Sequence, residues 1–344
     1  MRDLLNRVIE GKPLSTAEAE NLMGCMMDEE LTPVQLAAFL VALRAKGETA
    51  DEVVGFARTM RSRARRIHAN GDLADTCGTG GDGRGTFNIS TAAALIVAAC
   101  GQRVAKHGNR AASGRCGSAD VLEAMGVDVA LPPAGVSRCI DEAGMGFLFA
   151  PAFHPAMKFA ALPRRELGVR TVFNLLGPLT NPAIPRYQLL GVSGADLLDL
   201  MADSLLKLDV TAALVVHSDD GTDEISTSGP TRVREIRGGA IRAYQIEPED
   251  FGICRSPPES VRGGDVETNV GILRRVLDGE IGPARNAAVV NAGAALYVAG
   301  KAETLVDGAR LATSALDSGA ARAQLLRLMD VSVRARSDVD GSDA

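Results

Sequence analysis

Five glycines fall within the eight residues from Gly78 to Gly85, a stretch too poor in side chains to wind a helix or pack as a strand. What it offers is bare backbone amide. Directly behind it, Asn88 or Ser90 can cap a helix through the apolar run 92–100, closed by Gly101. A glycine-rich loop that feeds a helix N-terminus is a cradle for phosphate, because free N–H groups and the helix dipole both favour an anion. Two familiar forms of that loop fail here. Gly78, Gly80 and Gly83 have dinucleotide-fingerprint spacing, but the predicted second strand, 102–106, ends in Lys106-His107 where an acidic residue is needed. Gly80 and Gly85 have P-loop spacing, but Thr86-Phe87 stands in place of Lys-Ser/Thr.

Three further clusters carry charge. The stretch 106–118 holds Lys106, Arg110 and Arg115 with Asn109, Ser113, Ser118 and three glycines, which reads as a second anion-facing loop before a helix capped by Ser118. After an apolar strand, Asp219, Asp220, Asp223 and Glu224 crowd one loop. Alone they fit a solvated acidic turn; beside two anion loops they fit Mg²⁺, which takes one or two carboxylates and completes its shell with water and substrate phosphate. Arg164 and Arg165 follow Pro163 at an expected helix start and suit a carboxylate or a plain surface. His154, between Phe153 and Pro155, reads as a packed residue. The sequence contains no nucleophile elbow, no HExxH and no zinc-spaced Cys/His set. Phosphate cradles, a carboxylate pair and an arginine suit displacement at a carbon bearing a pyrophosphate leaving group, where positioning and electrostatics suffice.

The elements that position these groups follow from periodicity. Residues 1–66 read as helical, with capping boxes Ser15/Glu18, Thr32/Gln35 and Thr49/Glu52. Met23, Met26 and Met27 suit core or a subunit face, and Arg58, Arg61, Arg63, Arg65 and Arg66 suit a solvated helix end. From Gly71 onward, strands near 73–76, 102–106, 146–149, 187–192 and 212–217 alternate with helices near 91–100, 118–125, 135–143 and 195–208, predicting a largely parallel sheet. Residues 231–236 and 240–246 form an edge hairpin. Helices follow at 265–277, 284–299, 302–317 and 320–329, and the polar residues 333–344 are expected to be disordered. The 344 residues carry a net charge of −6, three Tyr, nine Phe and no Trp, which argues against nucleic acid as partner. Six scattered cysteines suit reduced thiols. With no apolar leader and no membrane-length run, the expectation is a cytoplasmic protein without a membrane partner.

Several motifs together resemble the anthranilate phosphoribosyltransferases: Gly78-Thr79-Gly80-Gly81-Asp82, the stretch 86–91, Lys106-His107-Gly108-Asn109-Arg110, the stretch 117–123, the stretch 170–182 and Asp223-Glu224. The resemblance spans nearly the whole chain. It implies the α/β fold of the nucleoside-phosphorylase-like phosphoribosyltransferases, with a small N-terminal helical domain (1–68, joined in space by about 163–180), a larger α/β domain (69–344) and a homodimer. It implies transfer of the phosphoribosyl group of 5-phosphoribosyl 1-pyrophosphate (PRPP) to the amine of anthranilate, with inversion, in tryptophan biosynthesis. By matching position, Gly78, Gly81, Asp82, Thr86, Asn88, Ile89, Ser90, Thr91, Lys106, His107, Gly108, Asn109, Arg110, Ser113, Gly114 and Ser118 are expected at PRPP. Gly78, His107, Asn109 and Arg164 are expected at anthranilate, and Ser90, Asp223 and Glu224 at Mg²⁺. No general acid or base is implied. Two departures stand out: Thr222 where Leu is common, and Gly114-Arg115-Cys116 where Ser is frequent, which weakens any side-chain phosphate contact at Gly114. A pyrimidine-nucleoside phosphorylase would not need the carboxylate pair; a transferase for another aromatic acid shares every feature; a non-catalytic phosphate- or nucleic-acid-binding scaffold would not need the metal carboxylates. A glutamine-amidotransferase partner is not specified by the sequence.

Overall fold

The structure is a computed structural model that describes residues 1–111 and 115–342; the expected phosphate contacts Ser113 and Gly114 lie outside the described residues. The chain begins with four helices, α1 (Arg2–Ile9), α2 (Thr16–Met27), α3 (Pro33–Lys46) and α4 (Ala50–Arg63). All three capping boxes close in both directions, so each helix start satisfies backbone donors that helical bonding leaves open. Met23, Met26 and Met27 are buried, which makes them core.

Seven strands follow: β1 (Ala74–Gly78), β2 (Val104–Gly108), β3 (Met145–Phe149), β4 (Tyr187–Gly191), β5 (Ala212–Ser218), β6 (Thr231–Arg237) and β7 (Ala240–Ile246). They lie in the order β3-β2-β1-β4-β5-β6-β7. The first five run parallel, and β6 and β7 add the antiparallel edge hairpin. Between and around them run α5 (Ile89–Ala99), α6 (Ser118–Ala124), α7 (Pro133–Ala143), α8 (Ala150–Phe153), α9 (Lys158–Leu167), α10 (Val172–Leu176), α11 (Leu197–Lys207), α12 (Val266–Leu277), α13 (Pro283–Val298), α14 (Leu305–Asp317) and α15 (Ala320–Ser342).

The period-two alternation of the strands divides the core. On β5, Ala212, Leu214 and Val216 join the apolar cluster of α5, α13, α14 and α15, while Ala213 and Val215 join that of α1–α4, α10 and α11. The N-terminal helices therefore pack on the sheet's second face together with Val172, Phe173, Leu175, Leu176 and Leu179.

Four expectations need correction. β1 and β2 extend two residues further, to Gly78 and Gly108, because pairing to β4 and β3 continues that far; the first glycine of the loop is the last residue of a strand. Asn88 occupies the cap position of α5 without a side-chain cap bond, and α6 is closed by Asp120 folding back on the Gly117 N–H at 2.9 Å rather than by Ser118. Arg61 is no solvated residue: its Nε donates to the Leu179 carbonyl at 2.6 Å, tying α4 to the segment after α10. Residues 333–342 are helical rather than disordered, since Val331 and Ala335 are buried and Arg336 clasps Asp128 at 2.7 Å. Among the described residues no helix is long and apolar enough to cross a membrane.

Candidate active site

β1 is flanked by β2 on one side and β4 on the other, so the crevice between β1 and β4 is the sheet's switch point, where open α/β folds bind ligands. Gly78 and Gly191 end these two strands in register. A β-carbon on Gly78 would strike the Asp223 carboxylate, and one on Gly191 would strike the Asp223 backbone carbonyl. Two missing side chains thus open a slot for one aspartate. Asp223 accepts the Gly80 N–H at 2.8 Å, its own N–H donates to Asp82 at 3.3 Å, and Glu224 accepts the Ser90 N–H at 3.2 Å in the first turn of α5. From β2, the buried Lys106 donates to the Thr76 carbonyl at 2.7 Å and to Ser90 Oγ at 3.3 Å.

Burial, then the neighbouring Asp82, raises the Asp223 pKa to about 6. Burial, then Asp223, raises that of Glu224 to about 8, with Lys106 pulling the other way. Burial likewise lowers the pKa of Lys106. Carboxyls this reluctant to ionise mark a site short of positive charge, even though the Gly80 and Ser90 amides pull the other way. Among the described residues no three His, Cys, Asp or Glu side chains converge as a metal cluster; a cation beside Asp223, Glu224 and Ser90 would need water and phosphate to fill its shell, as Mg²⁺ does. The stability consequence has a definite sign. Glu224 keeps its proton when folded up to about pH 8, whereas its ordinary value is 4.5; the folded state therefore loses stability as pH rises through that window. Melting of the ligand-free protein is expected to fall from pH 6 to pH 8.5, and the Glu224→Gln protein to show a shallower fall. Equal slopes for the two would contradict the burial argument.

The cleft encloses about 770 Å³. Its walls bring together Gly78, Gly81, Asp82, Thr86, Asn88, Ile89, Ser90, Thr91, Lys106, His107, Gly108, Asn109, Arg110, Ser118, Asp223 and Glu224. Arg110 is already engaged, donating to Glu123 at 2.7 Å and Asp120 at 3.0 Å, which raise its pKa. Arg164 is not among the lining residues. Nor does it start a helix: α9 runs through Pro163 and places Arg164 in its last turn, with the guanidinium 5.3 Å from the Phe173 ring centre. Burial lowers its pKa, and no acidic side chain pairs with it among the described residues. His107 and His154 form an edge-on buried pair with ring centres 5.3 Å apart. Burial foremost lowers His107 to about 3 and His154 to about 4, so both are neutral at pH 7. His154 is the packed residue its neighbours suggested.

Sequence reasoning missed the clasp on the glycine loop. The Phe87 N–H donates to the Val261 carbonyl at 3.0 Å and the Gly263 N–H to that of Gly85 at 2.9 Å. Asn269, buried at the start of α12, accepts the Gly264 N–H at 2.8 Å and donates to Asn88 Oδ1 at 3.0 Å. The Gly263-Gly264 pair ahead of α12 was the available signal. Arg170 fastens the same loop, donating to the Gly80 and Gly81 carbonyls at 2.8 and 3.1 Å.

Comparison with known proteins supplies a second line of observation. Residues 70–322 match the α/β domain of a glycosyl transferase family, and residues 2–64 match that family's helical bundle domain. The chain is 54% identical over 339 residues to the anthranilate phosphoribosyltransferase of Symbiobacterium thermophilum, covering 98% of this chain and 99% of that one. It is 53% identical over 335 residues to that of Rubrobacter xylanophilus, covering 97% and 98%. Among solved structures, the anthranilate phosphoribosyltransferase of Thermus thermophilus superposes with a TM-score of 0.91 at 47% identity, covering 95% of this chain and 98% of that one. The Saccharomyces cerevisiae enzyme in complex with PRPP and Mg superposes with a TM-score of 0.86 at 25% identity, covering 93% and 94%.

Proposed function

This chain belongs to the anthranilate phosphoribosyltransferases, and from that premise we propose how its residues carry PRPP and anthranilate to N-(5-phosphoribosyl)anthranilate and pyrophosphate, the second step of tryptophan biosynthesis. The observation that carries the proposal is the slot at the switch point, where the buried Asp223 and the half-buried Glu224 accept the amides of Gly80 and Ser90. In this reading Gly78, Gly81, Asp82, Thr86, Asn88, Ile89 and Thr91 grip one end of PRPP, and Lys106, Gly108, Asn109, Arg110 and Ser118 the other, with Ser113 and Gly114 extending the second loop. Ser90, Asp223 and Glu224 would hold Mg²⁺. Bound there, Mg²⁺ supplies the positive charge that the departing pyrophosphate requires, a contribution of several kcal/mol. The chain itself binds and orients. Lys106, fixed between Thr76 and Ser90, adds a second positive charge in a dry site where such charges act strongly. The anthranilate amine is already a nucleophile, so no general base is assigned, and the neutral His107 packs beside the acceptor with Gly78 and Asn109.

Arg164 is assigned to the acceptor's carboxylate, since its guanidinium is half-buried and lacks an acidic partner among the described residues. Losing its charged hydrogen bonds costs about 1.5–3 kcal/mol, so Arg164→Ala is expected to raise the KM for anthranilate about 10- to 100-fold with kcat nearly unchanged. An unaltered KM would remove Arg164 from the site. A homodimer follows from the family resemblance, with the exposed Ile9, Val34 and Val41 of α1 and α3 as candidate contacts; sedimentation is expected to give twice the chain mass, and a monomer would refute it. One mixing experiment tests the activity. Anthranilate fluorescence should decline only when protein, Mg²⁺ and PRPP are all present, and a decline without PRPP, or none with all three, would contradict the proposal.

A further inference from the structure

We infer that Asn291, on α13 outside the cleft, is a positioning residue that fixes the Asp223–Glu224 carboxylates for metal binding; the inference rests on the assignment of those carboxylates made above. Between the end of β5 at Ser218 and the start of β6 at Thr231 the chain leaves the sheet. The backbone of Ile225, the residue after Glu224, thus has no strand ladder to satisfy it, although Ile225 is buried. Asn291 takes the ladder's place. Its Oδ1 accepts the Ile225 N–H at 3.0 Å, and its Nδ2 donates to the Ile225 carbonyl at 2.9 Å. The second Nδ2 hydrogen goes to the Ala287 carbonyl, also at 2.9 Å, so both donors are used.

The site is costly to build. Asn291 is 0% exposed and lies among the buried Val289, Val290, Ala292 and Ala294, where a polar amide is tolerated only with its bonds made. A second grip holds the residues on either side of Ile225. The Ser218 hydroxyl donates to the Glu224 carbonyl at 2.6 Å and accepts the Ser226 N–H at 3.0 Å. The strap that carries both carboxylates is thus held at Glu224 by Ser218 and at Ile225 by Asn291, neither of which lines the cleft. Partners that orient metal ligands from behind change metal affinity or activity by about 10- to 100-fold when removed.

The test is calorimetric PRPP binding without anthranilate across a Mg²⁺ series, for wild type, Asn291→Ala, Ser218→Ala, Val290→Ala and Glu224→Gln. Asn291→Ala is expected to raise the Mg²⁺ concentration for half-maximal PRPP binding about 10- to 100-fold, with binding recovered at high Mg²⁺. Ser218→Ala should shift it in the same direction and carries the test should Asn291→Ala not fold. Val290→Ala removes buried volume from the same helix and leaves the Asn291 hydrogen bonds to Ile225 in place, so it should lower the melting temperature and leave the Mg²⁺ requirement alone. A wild-type requirement in both Asn291→Ala and Ser218→Ala, or an equal shift in Val290→Ala, would overturn the inference. If Glu224→Gln also leaves the requirement unmoved, the metal assignment fails first; if Glu224→Gln shifts it and the two positioning variants do not, only the inference fails.

Discussion

Replacing Asp223 with Asn and Glu224 with Gln together is expected to reduce kcat about a thousandfold at millimolar Mg²⁺, while the ligand-free protein melts higher than wild type at pH 8. Both halves come from one observation. Burial holds these carboxyls near 6 and 8 rather than at their ordinary values of 3.8 and 4.5, so the folded chain gives up stability to keep them charged. The amide replacements can still accept the Gly80 and Ser90 N–H bonds, but they no longer supply charge for a metal. A loss of about 4 kcal/mol in transition-state stabilisation corresponds to that factor of a thousand. Steady-state kinetics with a melting curve checks it. A variant that is slow because it is unfolded would melt lower, and a variant with undiminished turnover would remove both residues from the metal site.

Gly78→Ala is the second large effect. The new β-carbon would strike the Asp223 carboxylate, in a slot bounded on the far side by Gly191 and the end of β4. The carboxylate must move by about an ångström, enough to cost roughly a hundredfold in turnover. Overpacking of this kind costs about 1–3 kcal/mol of stability. The parallel variant Gly191→Ala meets backbone rather than a side chain, so it should damage folding more than Gly78→Ala does. Turnover of Gly78→Ala within a factor of two of wild type would show that Asp223 has room the slot does not provide.

Much of this arrangement was legible because its signals are local. The capping boxes, the glycine loop before α5 and the hairpin 231–246 each depend on residues a few positions apart, and each formed. The rest depended on partners brought in by the fold. Asn269 reaches Asn88 across 181 residues and Arg170 reaches Gly80 across 90, and neither spacing leaves a pattern in a single chain. The polar composition of 333–342 suggested disorder, but Arg336 pairs with Asp128 across 208 residues, and a docked helix needs only one apolar stripe. Pro163 suits the start of a helix, where its missing N–H is harmless; α9 instead runs through it and places Arg164 in the last turn rather than the first.

A crystal grown with PRPP and Mg²⁺ tests the central claim most directly. The account predicts a diphosphate lying between the amides of residues 78–91 and the loop after β2, with its metal against Asp223 and Glu224. Ordered PRPP bound elsewhere, or a metal seated away from those two carboxylates, would contradict it.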